Sequence, residues 1–272
     1  MLRRLMPGQD ACAGDGDGMV AKAEELATEI RPGVVRPDWS AVTTPAARNA
    51  LSGRMSARAG LLDKWSHALD PDEDLVWRNI LKRYATMGRP PQAADLAGDT
   101  GIPSDRVGAL LRKLQLRDLV GLENESDKIR HAYPFTESET GHRVGFGRHV
   151  LSALCAIDAL GVGDMYRTDI RVQAQFRSCG ETISVVTTDQ GRKLGSVAPA
   201  EAVIWYDFAY GDSAASSCCP SIAFFCSDEH LRRWLEGQEP ARAGVRLSMN
   251  EGLELGRAIF APILREPVSA LP

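Results

Sequence analysis

The spacing of apolar and polar positions divides the chain into stretches of different texture. In DLVWRNILKRYATMG, apolar residues recur at helical spacing, putting Leu75, Ile80, Leu81 and Tyr84 on one face before Gly88 ends the run. PPQAADLAGDTG predicts a short second helix. Ser104 then caps a third, SDRVGALLRKLQLRD, with Val107, Leu110, Leu111 and Leu114 as its stripe. LVGLENESDKIRHAYPFT follows as two short strands around a polar turn. Three helices and a hairpin in that order predict a winged-helix-like domain over residues 71–142.

From residue 143 the pattern changes. GFGRHVLSALCAIDALGVGD predicts one helix with Val150, Leu151, Leu154 and Ile157 inward, so that Cys155 and Asp158 share a side three residues apart. TDIRVQAQFRSC, ETISVVTTD, EAVIWYDFAYG and SIAFFCS are alternating or β-branched runs and predict strands. In the third of them Trp205, Tyr206 and Phe208 are expected as core with one exposed face. SDEHLRRWLEGQ and SMNEGLELGRAIFAPIL are amphipathic helices opened by serines. The fold class is α+β: the helical module, then an antiparallel sheet flanked by helices over residues 143–272. Residues 1–70 carry Gly, Asp and Pro with little periodicity and read as an N-terminal extension, with short helices at 19–30 and 55–69. Asp15 and Asp17 begin a calcium-loop pattern that Val20 and Leu26 break.

The length of 272 residues suits two small domains, and 44% hydrophobic with 25% charged residues is ordinary for a globular chain. A formal charge of −4 argues against a protein held to nucleic acid or anionic lipid by bulk charge. The third helix offers Arg106, Arg112, Lys113 and Arg117 against Asp105 and Asp118, which a solvated face explains as well as a DNA-reading one. No apolar run approaches the roughly 18–20 residues that span a bilayer, and MLRRLMPGQD lacks a signal-peptide core. The expectation is a cytoplasmic protein with no membrane contact.

Chemistry enters with the six cysteines, Cys12, Cys155, Cys179, Cys218, Cys219 and Cys226. They are too sparse for a disulfide scaffold and form no CxxC pair, and His131, His142 and His149 are not spaced as ligands with any of them. Five fall between residues 155 and 226. Pro220 makes Ser216-Ser217-Cys218-Cys219 a turn before a strand. Two thiols from separate elements and one carboxylate can bind a soft metal centre and deliver a proton to what the metal carries.

At these residues the chain resembles the organomercurial (alkylmercury) lyases over about residues 75–262. The likeness lies in HAYPFT, LCAIDAL with its Cys-x-x-Asp, SCGETISV, CCPSIAFFCS and GLELGRAIF, in that order. The resemblance implies protonolysis of the carbon–mercury bond to Hg(II) and hydrocarbon. Cys155 and Cys218 would be the mercury-binding thiols and Asp158 the acid, with Asp158 and Cys219 as further ligands of the Hg(II) product. Cys219 matches a thiol that is not required, and Cys179 one that is structural. No organic cofactor is implied, only low-molecular-weight thiols for turnover and a mercuric reductase as a further Hg(II) acceptor. Cys226 is expected in packing and Cys12 as an inert surface thiol. The chain departs from the family pattern at Pro220-Ser221-Ile222-Ala223 and at Gly161-Val162-Gly163-Asp164-Met165, where Asp164 brings a charge toward the site. Two other readings stand beside this one: a thiol-based soft-metal regulator with a winged-helix DNA module, and a divergent lyase-fold enzyme with another substrate. The acidic net charge weighs against the first, and nucleic acid is not an expected partner.

Overall fold

The computed structural model describes residues 25–175 and 180–266. A β-hairpin opens the described chain, β1 (Thr28–Arg31) and β2 (Val34–Arg36), followed by helices α1 (Pro45–Ala57) and α2 (Ala59–Lys64). Helices α3 (Pro71–Met87), α4 (Ala93–Thr100) and α5 (Ser104–Leu116) come next, then β3 (Val120–Leu122) and β4 (Ile129–Ala132). The rest alternates more: β5 (Phe135–Thr136), β6 (His142–Phe146), β7 (His149–Ala153), α6 (Ala156–Tyr166), β8 (Arg171–Gln175), β9 (Thr182–Thr188), β10 (Lys193–Ala198) and β11 (Val203–Asp207). The last elements are β12 (Ala223–Phe225), α7 (Asp228–Glu236), β13 (Gly244–Ser248) and α8 (Met249–Phe260). The class is α+β, as the patterning predicts. Eight strands form one antiparallel sheet in the order β10-β9-β8-β6-β7-β5-β4-β3, and β12-β11-β13 form a second. The β3–β4 hairpin is therefore the edge of the large sheet, which runs on through residue 142.

Helices α3 and α5 bury the predicted faces, including Ile80, Leu81, Tyr84, Val107, Leu111 and Leu114. Ser104 is the first residue of α5 and Pro103 its cap. Ser227 and Ser248 do cap α7 and α8, their hydroxyls accepting from the N–H of His230 and Glu251. The single helix expected across residues 145–164 is a strand pair followed by a shorter helix. Positive φ at Gly147 turns β6 into β7, and HVLSA then alternates, with Val150 57% exposed and Leu151 4%. Only at Ala156 does the helix begin. Strand β11 is buried on both faces, because β12 and β13 flank it and helices cover it, so Trp205 and Tyr206 have no exposed face.

The N-terminal segment also differs from its reading. Thr28–Arg31 is a strand rather than the end of a helix at 19–30, whose residues 19–24 lie outside the described ones. The helix expected at 55–69 is replaced by α1 and α2, which occupy residues 45–64. Ile30, Trp39, Leu51, Met55, Leu61 and Trp65 are buried in a core shared with the rest of the chain. Thr43 and Thr44 bind Glu254 on α8 through hydroxyl and N–H donors (2.6–3.0 Å), and the Asp38 N–H donates to Ala258 O at 2.9 Å. Buried Arg31 pairs with Asp74 of α3 and donates to Ile263 O at 2.8 Å. No helix among the described residues is long and apolar enough to cross a membrane.

Helices α6 and α8 cross at paired glycines. A Cβ on Gly161 would lie 2.4 Å from the Phe260 ring and 3.0 Å from Gly256 O. A Cβ on Gly163 would lie 2.7 Å from the Gly191 backbone. The departure from the family pattern at 161–165 thus includes two close backbone approaches, and Asp164 faces Arg257 of α8 (2.9 Å) rather than the cavity described below. Urea denaturation tests this packing. Gly161→Ala is expected to cost about 1–3 kcal/mol through overpacking. Gly98→Ala, in α4 with nothing within 4 Å of its Cβ position, is expected to gain about 0.5–1 kcal/mol.

Candidate active site

Cys155 ends the extended chain after β7 and is the N-cap of α6, its Sγ accepting from the Asp158 N–H at 3.4 Å. A thiol in the capping position faces the unpaired N–H groups of the first turn, and Asp158 sits in that same turn. The second thiol-bearing segment is wound tightly by its own backbone: Cys219 N–H donates to Ala214 O (3.0 Å) and Ile222 N–H to Cys218 O (3.0 Å). Asp118 fixes it from outside, accepting from Ala214 N (2.9 Å), Tyr210 OH (3.1 Å) and Tyr133 OH (3.0 Å). Tyr133 OH in turn accepts from Ala215 N at 2.8 Å. The Ala156 N–H donates to Ile222 O at 3.2 Å, which joins the two segments directly.

The result is one buried group of soft and acidic atoms. One ligand atom each from Cys155, Asp158 and Cys219 lie within 4.8 Å of one another, and Cys219 Sγ is 3.9 Å from Asp158 Oδ2. Cys218 is not in that set. It lines the same cavity on the far side of Cys219, to which it is hydrogen bonded, with its Sγ 3.6 Å from Ala214 O. All four residues are at least 95% buried. Among the other sites read from sequence, Cys226 is buried with Sγ 2.6 Å from His230 Nδ1, and His149 Nε2 is 3.1 Å from Thr86 O. Cys12 and Cys179 lie outside the described residues.

Sequence patterning missed the other half of the cavity. Arg36 of β2, Arg54 of α1 and Arg58 just after α1 line it with their side chains buried. Arg36 stacks 4.7 Å over Trp65 and 5.6 Å over Phe260, and Arg58 lies 5.5 Å over Tyr206. Their hydrogen bonds end on Ile259 O, the Met55 thioether and Asp207 O, and among the described residues none of the three forms an ion pair. A usable signal was present: Leu51, Arg54, Met55 and Arg58 follow helical spacing, so the apolar face carries two arginines. The enclosed volume is about 40 Å³, space for about three waters.

Burial dominates the electrostatics. It raises the Asp158 carboxyl to about 7, against the hydrogen bond from Cys155. It also raises the Cys155 thiol. Cys218 moves the other way, to about 7, because Cys219 hydrogen bonds to it and Arg58 and Arg54 stand near. Cys219, bonded to both neighbouring thiols, is held well above the usual thiol range. Desolvation brings Arg36 down to about 9, with Arg54 adding repulsion. Near neutral pH the Cys218 thiol and the Asp158 carboxyl are therefore each close to half-ionised, beside a surplus of buried positive charge.

The model of the family described as MerB, alkylmercury lyase, matches residues 135–261. That span contains Cys155, Asp158, Cys218 and Cys219. Residues 135–261 are thus similar to an alkylmercury lyase domain, a likeness that supports an enzyme of the lyase class. A solved structure described as the mercury-bound form of MerB2 shares the fold at a TM-score of 0.64 and 23% identity, with 78% of this chain and 99% of that one covered. The matched span supplies the sulfur and carboxyl atoms of the cavity, whereas all three arginines precede it.

Asp158 carries a linked stability prediction. Below about pH 4 the carboxyl is protonated in folded and unfolded chains alike and costs nothing. Between about 4 and 7 the unfolded chain ionises first, so stability falls as pH rises and stays low above 7. Asp158→Asn removes that penalty. Its thermal midpoint should exceed the parent's at pH 8, by a free energy of up to about 4 kcal/mol, and the gap should close toward pH 4. A variant less stable than the parent at pH 8 contradicts the assignment.

Proposed function

We propose that the chain cleaves the carbon–mercury bond of small organomercurials by protonolysis, using Cys155, Cys218 and Asp158. The observation that carries this reading is the buried convergence of two thiol-bearing segments on one raised carboxyl inside the span that matches the lyase family. Soft thiolates are the preferred ligands of a soft ion such as mercury. Cys218, the thiol held lowest, takes the mercury of R–Hg–SR′ and displaces the R′S⁻ thiolate. Cys155 passes its proton to the displaced R′S⁻ thiolate, which leaves as R′SH, and becomes the second sulfur ligand. The carbon–mercury bond then breaks with its electron pair on carbon, which takes the proton from Asp158 and leaves as R–H. Hg(II) stays on Cys155 and Cys218 until low-molecular-weight thiols or a mercuric reductase remove it. Cys219 is nearer Asp158 than Cys218 is, but its high pKa keeps it protonated, and it serves as hydrogen-bond donor to the Cys218 thiolate. The small cavity favours methyl over aryl groups.

The regulator reading is weaker. The four cations on α5 and its C-cap are occupied: Arg106 pairs with Asp72, Arg112 with Asp127, Lys113 with Asp70 and Glu73, and Arg117 with Glu73. A phosphate backbone would have to compete with all of these carboxylates.

Gas-phase detection of methane from methylmercury, with purified protein and excess thiol, tests the reading. Cys155→Ser and Cys218→Ser should release none, Asp158→Asn should be slowed about 10²–10⁴-fold, and Cys219→Ser should keep most of the activity. The rate should peak near pH 7, falling on the acid side as Cys218 protonates and on the alkaline side as Asp158 loses its proton. Full turnover by Cys155→Ser sinks the proposal.

A further inference from the structure

The thiols and Asp158 account for one side of the cavity; on the other, Arg54 and Arg58 help to lower the Cys218 thiol, which leaves most of the positive charge there unmatched. Three guanidinium groups there have no carboxylate partner, although a buried cation is costly unless it is paired. One atom of these groups, Arg58 Nε, and two further polar atoms on the cavity wall, Trp77 Nε1 and Tyr206 Oη, are buried with no hydrogen-bond partner among the described residues. Arginine and indole nitrogens can only donate, and the phenol can donate. Unpaired buried donors are rare and cost about 1–3 kcal/mol each when left so. Cys218 offsets one positive charge while it is a thiolate, but that charge is consumed once the sulfur binds mercury.

We propose that the arginine side of this cavity, formed by Arg36, Arg54 and Arg58 with Trp77 and Tyr206, binds a carboxylate carried on the organic group of the substrate. The ligand class is a short ω-carboxyalkyl mercurial, of which carboxymethylmercury (⁻O₂C–CH₂–Hg⁺) is the smallest. A carboxylate has acceptor sites for several donors at once and matches the fork of a guanidinium. The enclosed space admits a ligand of only a few heavy atoms, so carboxylate and mercury lie one or two carbons apart. The mercury half of this ligand rests on the lyase reading; the carboxylate half rests on the arginines alone.

Iodoacetate and iodoacetamide separate the two halves. Both alkylate a thiolate by forming a sulfur–carbon bond and expelling iodide, and they differ only in carboxylate against amide. Neither needs carbon–mercury chemistry. The rates of modification of Cys155, Cys218 and Cys219 in the full chain are followed by peptide mass spectrometry. The iodoacetate-to-iodoacetamide rate ratio should exceed that of the urea-unfolded chain by about tenfold or more, the selectivity of about one charge-assisted hydrogen bond. Acetate should slow iodoacetate but not iodoacetamide. Arg36→Met and Arg58→Met should each return the ratio toward the unfolded value, and if either fails to fold, acetate competition in the parent protein decides. A folded ratio equal to the unfolded one overturns the proposal, as does a ratio unchanged in both variants. So does a cavity that neither reagent modifies and whose thermal midpoint acetate leaves unmoved. Methane release from methylmercury, run alongside, reports separately on the lyase reading: methane without carboxylate selectivity discards this inference alone, and selectivity without methane discards the lyase reading and the mercury half of the ligand while the carboxylate half stands.

Discussion

Burying positive charge beside sulfur is the constraint on which the rest of this structure depends. A guanidinium in a dry interior demands compensation, and here it comes from aromatic faces, backbone carbonyls and a thiolate rather than from carboxylates. That choice has two consequences. The hydrogen bond from Cys219 and the nearby guanidinium groups lower the Cys218 thiol, desolvation raises Cys155, and hydrogen bonds to both neighbours raise Cys219, so three cysteines of one cavity differ in protonation at one pH. The same desolvation keeps a proton on Asp158 near neutrality, where an exposed aspartate would have lost it. Acid and nucleophile thus coexist in one cavity.

The architecture serves this arrangement by pinning each thiol segment to backbone. Cys155 is held at a helix start, where its sulfur takes the place of a capping hydroxyl. Cys218 and Cys219 ride on a wound loop that Asp118 and Tyr133 clamp against the α5–β3 corner. Glycine pairs let α6 lie close on α8, and α8 in turn receives the N-terminal segment through Glu254 and Ala258. Displacing any of these moves sulfur relative to carboxyl.

Much of the fold was legible because its helices bury a simple stripe: Val107, Leu111 and Leu114 announce α5 as plainly as Ile80 and Tyr84 announce α3. The stretch before Cys155 was not, because HVLSALCAIDAL is apolar enough to satisfy a helical period over residues that the sheet claims for β7. Cys155 and Asp158 came out adjacent all the same, since a cap and its first turn bring the same two positions together as a helix face does. The arginine wall was legible only in the helical spacing of Arg54 and Arg58, for a different reason. Charge in a Pro- and Gly-containing segment ordinarily marks solvated chain, and only the packing of Trp65, Trp77 and Phe260 turns Arg36 and Arg54 inward. The order of the thiols was equally beyond spacing: adjacency in sequence puts Cys218 and Cys219 on one loop, but the turn alone decides which sulfur meets Asp158.

The cavity also disregards the boundaries of the family match. Its sulfur and carboxyl atoms fall within residues 135–261, but Arg36, Arg54, Arg58, Trp65, Trp77 and Asp118 do not. A fragment cut to the matched span would keep every reactive atom and lose the wall that desolvates them. Its Asp158 would revert toward an ordinary surface carboxylate and its Cys218 toward an ordinary thiol. Reactivity in this protein is a property of enclosure, and the enclosing chain is the part whose sequence says least about chemistry.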